Sequence, residues 1–180
     1  MNLLKTILEA QGGGAVSQVA SALGLEQKQA SSGIAKLLPA LTQGLTKNMG
    51  SENGLQSLLG ALDKGGHDRY LDNPAALSDE RAVQEGNGIL GHLLGSKDVS
   101  RQVASQAASE TGLDVGVLKK MLPMVAAMAM GGMKKQTAAS GLLGGQQSSS
   151  GVAGMLGKFL DSDGDGSMAD DLLGMAKKLF

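Results

Sequence analysis

One internal match constrains this chain more than anything else in it. At an offset of 84 residues, QVASALGLEQKQASSGIAKLLP (Gln18–Pro39) lies without a gap over QVASQAASETGLDVGVLKKMLP (Gln102–Pro123). Gln-Val-Ala-Ser opens both segments and Leu-Pro closes both; Glu26 meets Glu110 and Lys36 meets Lys120, so 8 of 22 positions are identical. A supersecondary unit written twice is expected to pack against its own copy. Each copy reads as helix, turn, helix. Val16, Val19, Ala20 and Leu23 recur at the 3, 4, 7 spacing of a buried helical stripe. Gly24 then supplies the left-handed residue that commonly ends a helix. Ile34, Leu37, Leu38, Leu41 and Leu45 form the second stripe, interrupted by Pro39, where a kink or a fresh start is expected. In the second copy Gly112 breaks the chain, and Leu118, Met121, Leu122, Val125 and Met128 follow. No stretch alternates with period two, so the expected fold class is all-α: a multi-helix bundle with an internal duplication of a helix-turn-helix unit.

Composition narrows what can fill such a bundle. The 180 residues include no Trp and only Phe159, Phe180 and Tyr70 as aromatics, so the core is aliphatic, methionine-rich and alanine-rich. The 28 glycines cost about 1 kcal/mol each inside a helix, so many must sit at helix ends or where two backbones meet. Sixteen basic and 17 acidic residues leave a net charge of −1, too little to steer nucleic acid or an anionic membrane toward the chain. No cysteine is present, and His67 and His92 are the only histidines, which excludes disulfides and the usual Cys/His zinc sites.

Along the chain, residues 1–133 are expected to form one duplicated all-α domain, with units at about 15–49 and 99–133. Between the units, Glu52–Asp63 reads as a short helix and Lys64–Pro74 as a loop. Ser78 reads as the cap of a helix running to about Gly95. Residues 134–154, rich in Ser, Gly, Gln and Ala, read as a flexible linker. Residues 155–180 read as an acidic helix-loop-helix tail with an EF-hand-like or dockerin-like loop. The N-terminus lacks the continuous apolar stretch of a signal peptide. The longest apolar run, Met121–Met133, is 13 residues and contains Pro123, short of the ~20 that span a bilayer. A cytoplasmic protein with no transmembrane segment is the expectation.

The tail carries the one motif with definite chemistry, DSDGDGSMADD (Asp161–Asp171). Calcium takes six to eight hard oxygens from a tightly curled loop. Counted from Asp161, carboxylates fall at positions 1, 3 and 5 (Asp161, Asp163, Asp165), with Gly166 at the sharp turn and the Ser167 carbonyl at position 7. That is the front half of an EF-hand loop. The back half departs, because position 12 is Leu172 rather than Glu. Asp171 would close a loop shortened by one residue, as in dockerin-type loops. The plain alternative is a soluble Asp/Gly turn, with Asp170 and Asp171 favourable at the start of a last helix. Carboxylates crowded within about 6 Å repel one another unless a cation neutralises them, which favours calcium.

LGLEQKQASSGIAKLLPAL, GNGILGHLLGSK, TGLDVGVLKKMLPMVAAMAMGGM and LDSDGDGSMADDLLGMAKKLF, taken in order, resemble the bacterial DUF937 family. The similarity runs from about Val16 to Phe180. It implies a compact, wholly helical bacterial protein, related to the YidB-like proteins, with no assigned biochemical role and no catalytic residues to carry over.

The remaining candidates are weaker than their structural alternatives. Residues 16–38 have the apolar spacing of a DNA-binding helix-turn-helix, but the second helix offers only Lys28, Lys36, Gln27 and Gln29 to a groove, so no nucleic acid is expected. Met121, Met124, Met128, Met130 and Met133 suit an adaptable binding surface, yet equally fill a core without aromatics. His92 has no nucleophile or acidic orienter nearby in sequence. The loop at His67, Asp68, Arg69, Tyr70 and Asp72 is the only cluster of mixed polar chemistry, and a small-molecule site or an active site would use it. The expected function is non-enzymatic: an interaction module that binds a partner protein or a second copy, with calcium at Asp161, Asp163, Asp165, Ser167 and Asp171.

Overall fold

A computed structural model describes residues 3–50 and 52–139; the acidic tail and most of the expected linker lie outside the described residues. Among the described residues eight α-helices follow in order: α1 (Leu3–Glu9), α2 (Gly14–Leu23), α3 (Gln27–Met49), α4 (Glu52–Lys64), α5 (Arg69–Asp72), α6 (Glu80–Leu94), α7 (Lys97–Thr111) and α8 (Val115–Ala139). Short 3-10 turns join α1 to α2 and α5 to α6. Among the described residues there is no strand, in line with the expected all-α class.

Helix, turn, helix occurs at both segments, as α2–α3 and as α7–α8. α2 ends at Gly24 (φ +66°) and α7 at Gly112 (φ +73°), both left-handed, a conformation that costs glycine nothing. The helices that follow are held at their starts by side chains. Gln29 Oε1 accepts from the Glu26 amide at 2.9 Å, and Asp114 Oδ1 accepts from the Gly116 and Val117 amides at 2.8 and 3.2 Å. Both α3 and α8 run through their internal prolines, so neither Pro39 nor Pro123 begins a fresh helix.

α8 is the axis of the molecule, and every other helix packs against it. All thirteen residues from Met121 to Met133 are buried. A helix apolar all round belongs in a core. By length and composition Val115–Ala138 would also suffice to cross a membrane, a longer span than the 13-residue run suggests, but 72% of its apolar window is buried inside the fold. The five methionines of this helix are all core residues.

Small residues set how closely the helices approach. A Cβ on Gly86 of α6 would stand 2.1 Å from the Pro123 carbonyl oxygen, and one on Gly131 of α8 would stand 2.5 Å from the His67 carbonyl oxygen. At both places backbone lies directly on backbone.

Three local expectations are corrected. α8 continues to Ala139, past the expected linker start at Lys134, because Thr137 is fully buried and its hydroxyl donates back to the Met133 carbonyl at 2.9 Å. The loop at 64–74 contains the helical turn α5, whose Tyr70 and Leu71 are buried. α6 begins after Asp79 rather than Ser78; the Ser78 hydroxyl instead accepts from Gln18 Nε2 at 2.6 Å, tying this turn to α2.

Candidate functional site

The polar residues of the α5 region converge with one acid of α6. Gly66 (φ +55°) reverses the chain after α4, so that residues 67–72 lie against α6 and α8. Tyr70 and His67 are buried, at 1% and 7% exposure. Glu85 is their common partner. Its Oε1 accepts from Arg69 at 2.7 Å and from Arg81 at 3.2 Å, and its Oε2 accepts from the Tyr70 hydroxyl at 2.7 Å. The Tyr70 oxygen in turn accepts from Arg69 at 2.6 Å, and the Arg69 guanidinium lies 4.7 Å from the centre of the Tyr70 ring. Tyr70 therefore uses its hydroxyl as donor and acceptor at once.

His67 stacks at 6.3 Å from Tyr70, with its Nδ1 3.5 Å from Glu85 Oε2 and no hydrogen bond to that nitrogen. Burial holds the imidazole below its ordinary pKa, outweighing the attraction of Glu85; Arg69 and Lys134 push the same way as burial. Burial alone would raise the Glu85 carboxyl, but hydrogen bonds from Tyr70 and Arg69 and the Arg69 charge together hold it below its usual range. The Tyr70 phenol is raised, chiefly by burial. The resting cluster is thus a carboxylate, a guanidinium, a neutral phenol and a neutral imidazole.

Two lysines of α8 close the outer side. Lys134 pairs with Asp68 at 3.3 Å, and Lys135 pairs with Asp72. These residues sit at the start of the expected linker, and their partners are the two loop acids four residues apart.

Chemically the arrangement is a closed network. Arg69 Nη2, the Tyr70 hydroxyl and both Glu85 carboxylate oxygens face one another, and neither a cleft among α6, α7 and α8 nor one beside Leu8 and Val16 is lined by His67, Tyr70 or Glu85. His92, the other histidine, is exposed on α6 and borders neither cleft. Among the described residues no group of three or more His, Asp or Glu side chains is placed to hold a metal. The calcium candidates Asp161, Asp163, Asp165, Ser167 and Asp171 lie outside the described residues. Of the five loop residues singled out in the sequence, His67, Arg69 and Tyr70 join this cluster, and Asp68 and Asp72 pair with α8; Glu85 and Arg81, brought in by α6, carry no signal in the loop itself.

Fold and cluster together define a class: an all-helical protein in which one apolar helix is enclosed by amphipathic ones and pinned near its end by a polar network. The chain belongs to a family described as bacterial protein of unknown function (DUF937), whose profile matches residues 5–136. No curated protein and no solved structure matches it significantly.

Proposed function

We propose that the protein is a non-enzymatic helical interaction module that associates with a protein partner or a second copy and carries a calcium-binding loop at Asp161–Asp171. The observation that supports the non-enzymatic reading is the closure of the Arg69–Tyr70–Glu85 network. A catalytic constellation needs a group turned toward a site where a reacting atom can sit, and here those groups are spent on one another. Association through the C-terminal segment is supported by where apolar surface is found. Val99 is the only large hydrophobic side chain exposed on the described body, whereas both phenylalanines, Phe159 and Phe180, flank the acidic loop in sequence.

The calcium part rests on the alternate carboxylates Asp161, Asp163 and Asp165, with Ser167 and Asp171 completing the set. Calorimetric titration of the full chain with calcium, paired with sedimentation over a wide concentration range, tests both parts. Heat on calcium addition and a concentration-dependent rise in mass are expected. No heat at millimolar calcium removes the ion from the reading, and a monomer at every concentration removes self-association.

A further inference from the structure

A cleft of about 600 Å³ opens where α6, the first turn of α7 and the first half of α8 meet. Leu90 and Leu122 form its buried lining, and the exposed Lys97, Arg101 and Lys119 stand around it with Ser100. Arg101 is engaged by Asp98 at 2.8 Å; no acidic side chain among the described residues pairs with Lys97 or Lys119. No acidic residue lines the cleft at all. In a chain of net charge −1 this is a local positive concavity with an apolar floor.

We propose that the acidic segment Asp161–Asp171 of the same chain docks in this cleft. Charge is the first argument. The segment concentrates five carboxylates in eleven residues and contains no cation, and it is bordered by Phe159-Leu160 before and Leu172-Leu173 after, apolar pairs suited to Leu90 and Leu122. Opposite charges that converge over an apolar floor select one surface against others. Reach is the second argument. α8 ends at Ala139, 17 residues beyond Leu122, which places its end about 25 Å from the cleft at ~1.5 Å per residue. Twenty-one residues separate Ala139 from Asp161, and extended chain covers up to about 3.3 Å per residue, near 70 Å in all. The connection therefore reaches with slack, and tethering gives the acidic segment a high effective concentration at the cleft. This docking does not depend on the calcium reading; bound calcium would neutralise the segment and weaken it.

The chain has no cysteine, so a single Ser167→Cys carries one nitroxide on the full-length protein. In excess chelator, the amide signals of Lys97, Ser100, Arg101 and Lys119 are expected to lose most of their intensity, while that of Lys28, at the start of α3, keeps its own. Arg101→Glu combined with Lys119→Glu, both at exposed positions, restores the lost signals, and 0.5 M salt restores part of them, as screening requires. Undiminished signals at the cleft, or the same loss throughout the body, overturn the proposal. So does loss that arises only between labelled and isotope-enriched chains in a mixture, which would assign the cleft to a second copy. A failed calcium titration with successful docking removes the ion alone, so the two outcomes separate.

Discussion

The α2–α3 and α7–α8 units share a sequence signature but occupy different places in the fold. The second helices agree position by position: Ile34 and Leu118, Leu37 and Met121, Leu38 and Leu122, Leu41 and Val125, Leu45 and Ala129 are all buried, each pair 84 residues apart. The turns do not agree. Gly24 and Gly112 are 88 residues apart, so the break comes about one helical turn later in the second unit, at 3.6 residues per turn. α7 takes up the extra turn and α8 reaches its Leu-Pro correspondingly sooner. The surroundings differ as well. α3 keeps Lys28, Lys36, Pro39 and Lys47 exposed, whereas α8 is enclosed from Met121 to Met133. An apolar stripe is thus what the two segments share; where the chain turns and how much of the helix is covered depend on the neighbours.

The largest test of that contrast is at the wall around α8. Gly86→Ala forces a methyl against the Pro123 backbone, which cannot swing aside, and is expected to cost about 3 kcal/mol in urea unfolding, the upper end of overpacking penalties. Gly88→Ala, two residues on with open space around it, is the control and should stabilise by about 0.5–1 kcal/mol through helix propensity. Equal effects at the two sites would mean that the helices are not in backbone contact.

Next comes the network that secures the end of α8 and has no counterpart on α3. Glu85→Ala leaves the buried Tyr70 hydroxyl without its acceptor, and a loss of about 2 kcal/mol is expected. An unchanged unfolding midpoint would reduce the network to surface decoration.

Smaller still is a pH effect. The His67 imidazole is held below its ordinary pKa by burial, so the folded state disfavours its proton. Stability should be full above about pH 6.5, the unfolded value, and decline as pH falls from there toward the folded value. The depressed Glu85 carboxyl adds a second decline below about pH 4.5. His67→Gln should flatten the upper limb and leave the lower one. A rise in stability on acidification would instead show that Glu85 captures the imidazolium.

The smallest expected effect concerns an ion pair between α3 and α7, Lys36 to Glu110 at 2.8 Å, with both side chains well exposed. Lys36→Ala should leave the midpoint unchanged at physiological salt, as for most exposed pairs. A clear loss would show that the units rely on charge as well as on their apolar stripes.

Most of the helical scaffold was legible in the sequence because apolar spacing and left-handed glycines act locally. Val16–Leu23, Ile34–Leu45 and Leu118–Met128 could be read directly, and so could the breaks at Gly24 and Gly112. α5 could not, since four residues hold barely one turn and no periodicity can show in them. The end of α8 was misplaced because Lys134-Lys135 and the Ser- and Gln-containing stretch look solvated; Asp68 and Asp72 hold those lysines from a distant part of the chain. Glu85 was invisible for the same reason. Its role comes from α6 lying close against α8, where Gly86 beside it meets the Pro123 backbone, and from the bonds that Arg69 and Tyr70 make to it from a distant turn.

The five methionines enclosed along α8 also give the molecule a built-in chemical clock. Peroxide turns a thioether into a polar sulfoxide only where it can reach the sulfur, and Met121, Met128 and Met133 are wholly shielded. Their slow conversion would therefore count the moments when the enclosing helices part, in a chain without tryptophan to report such opening by fluorescence.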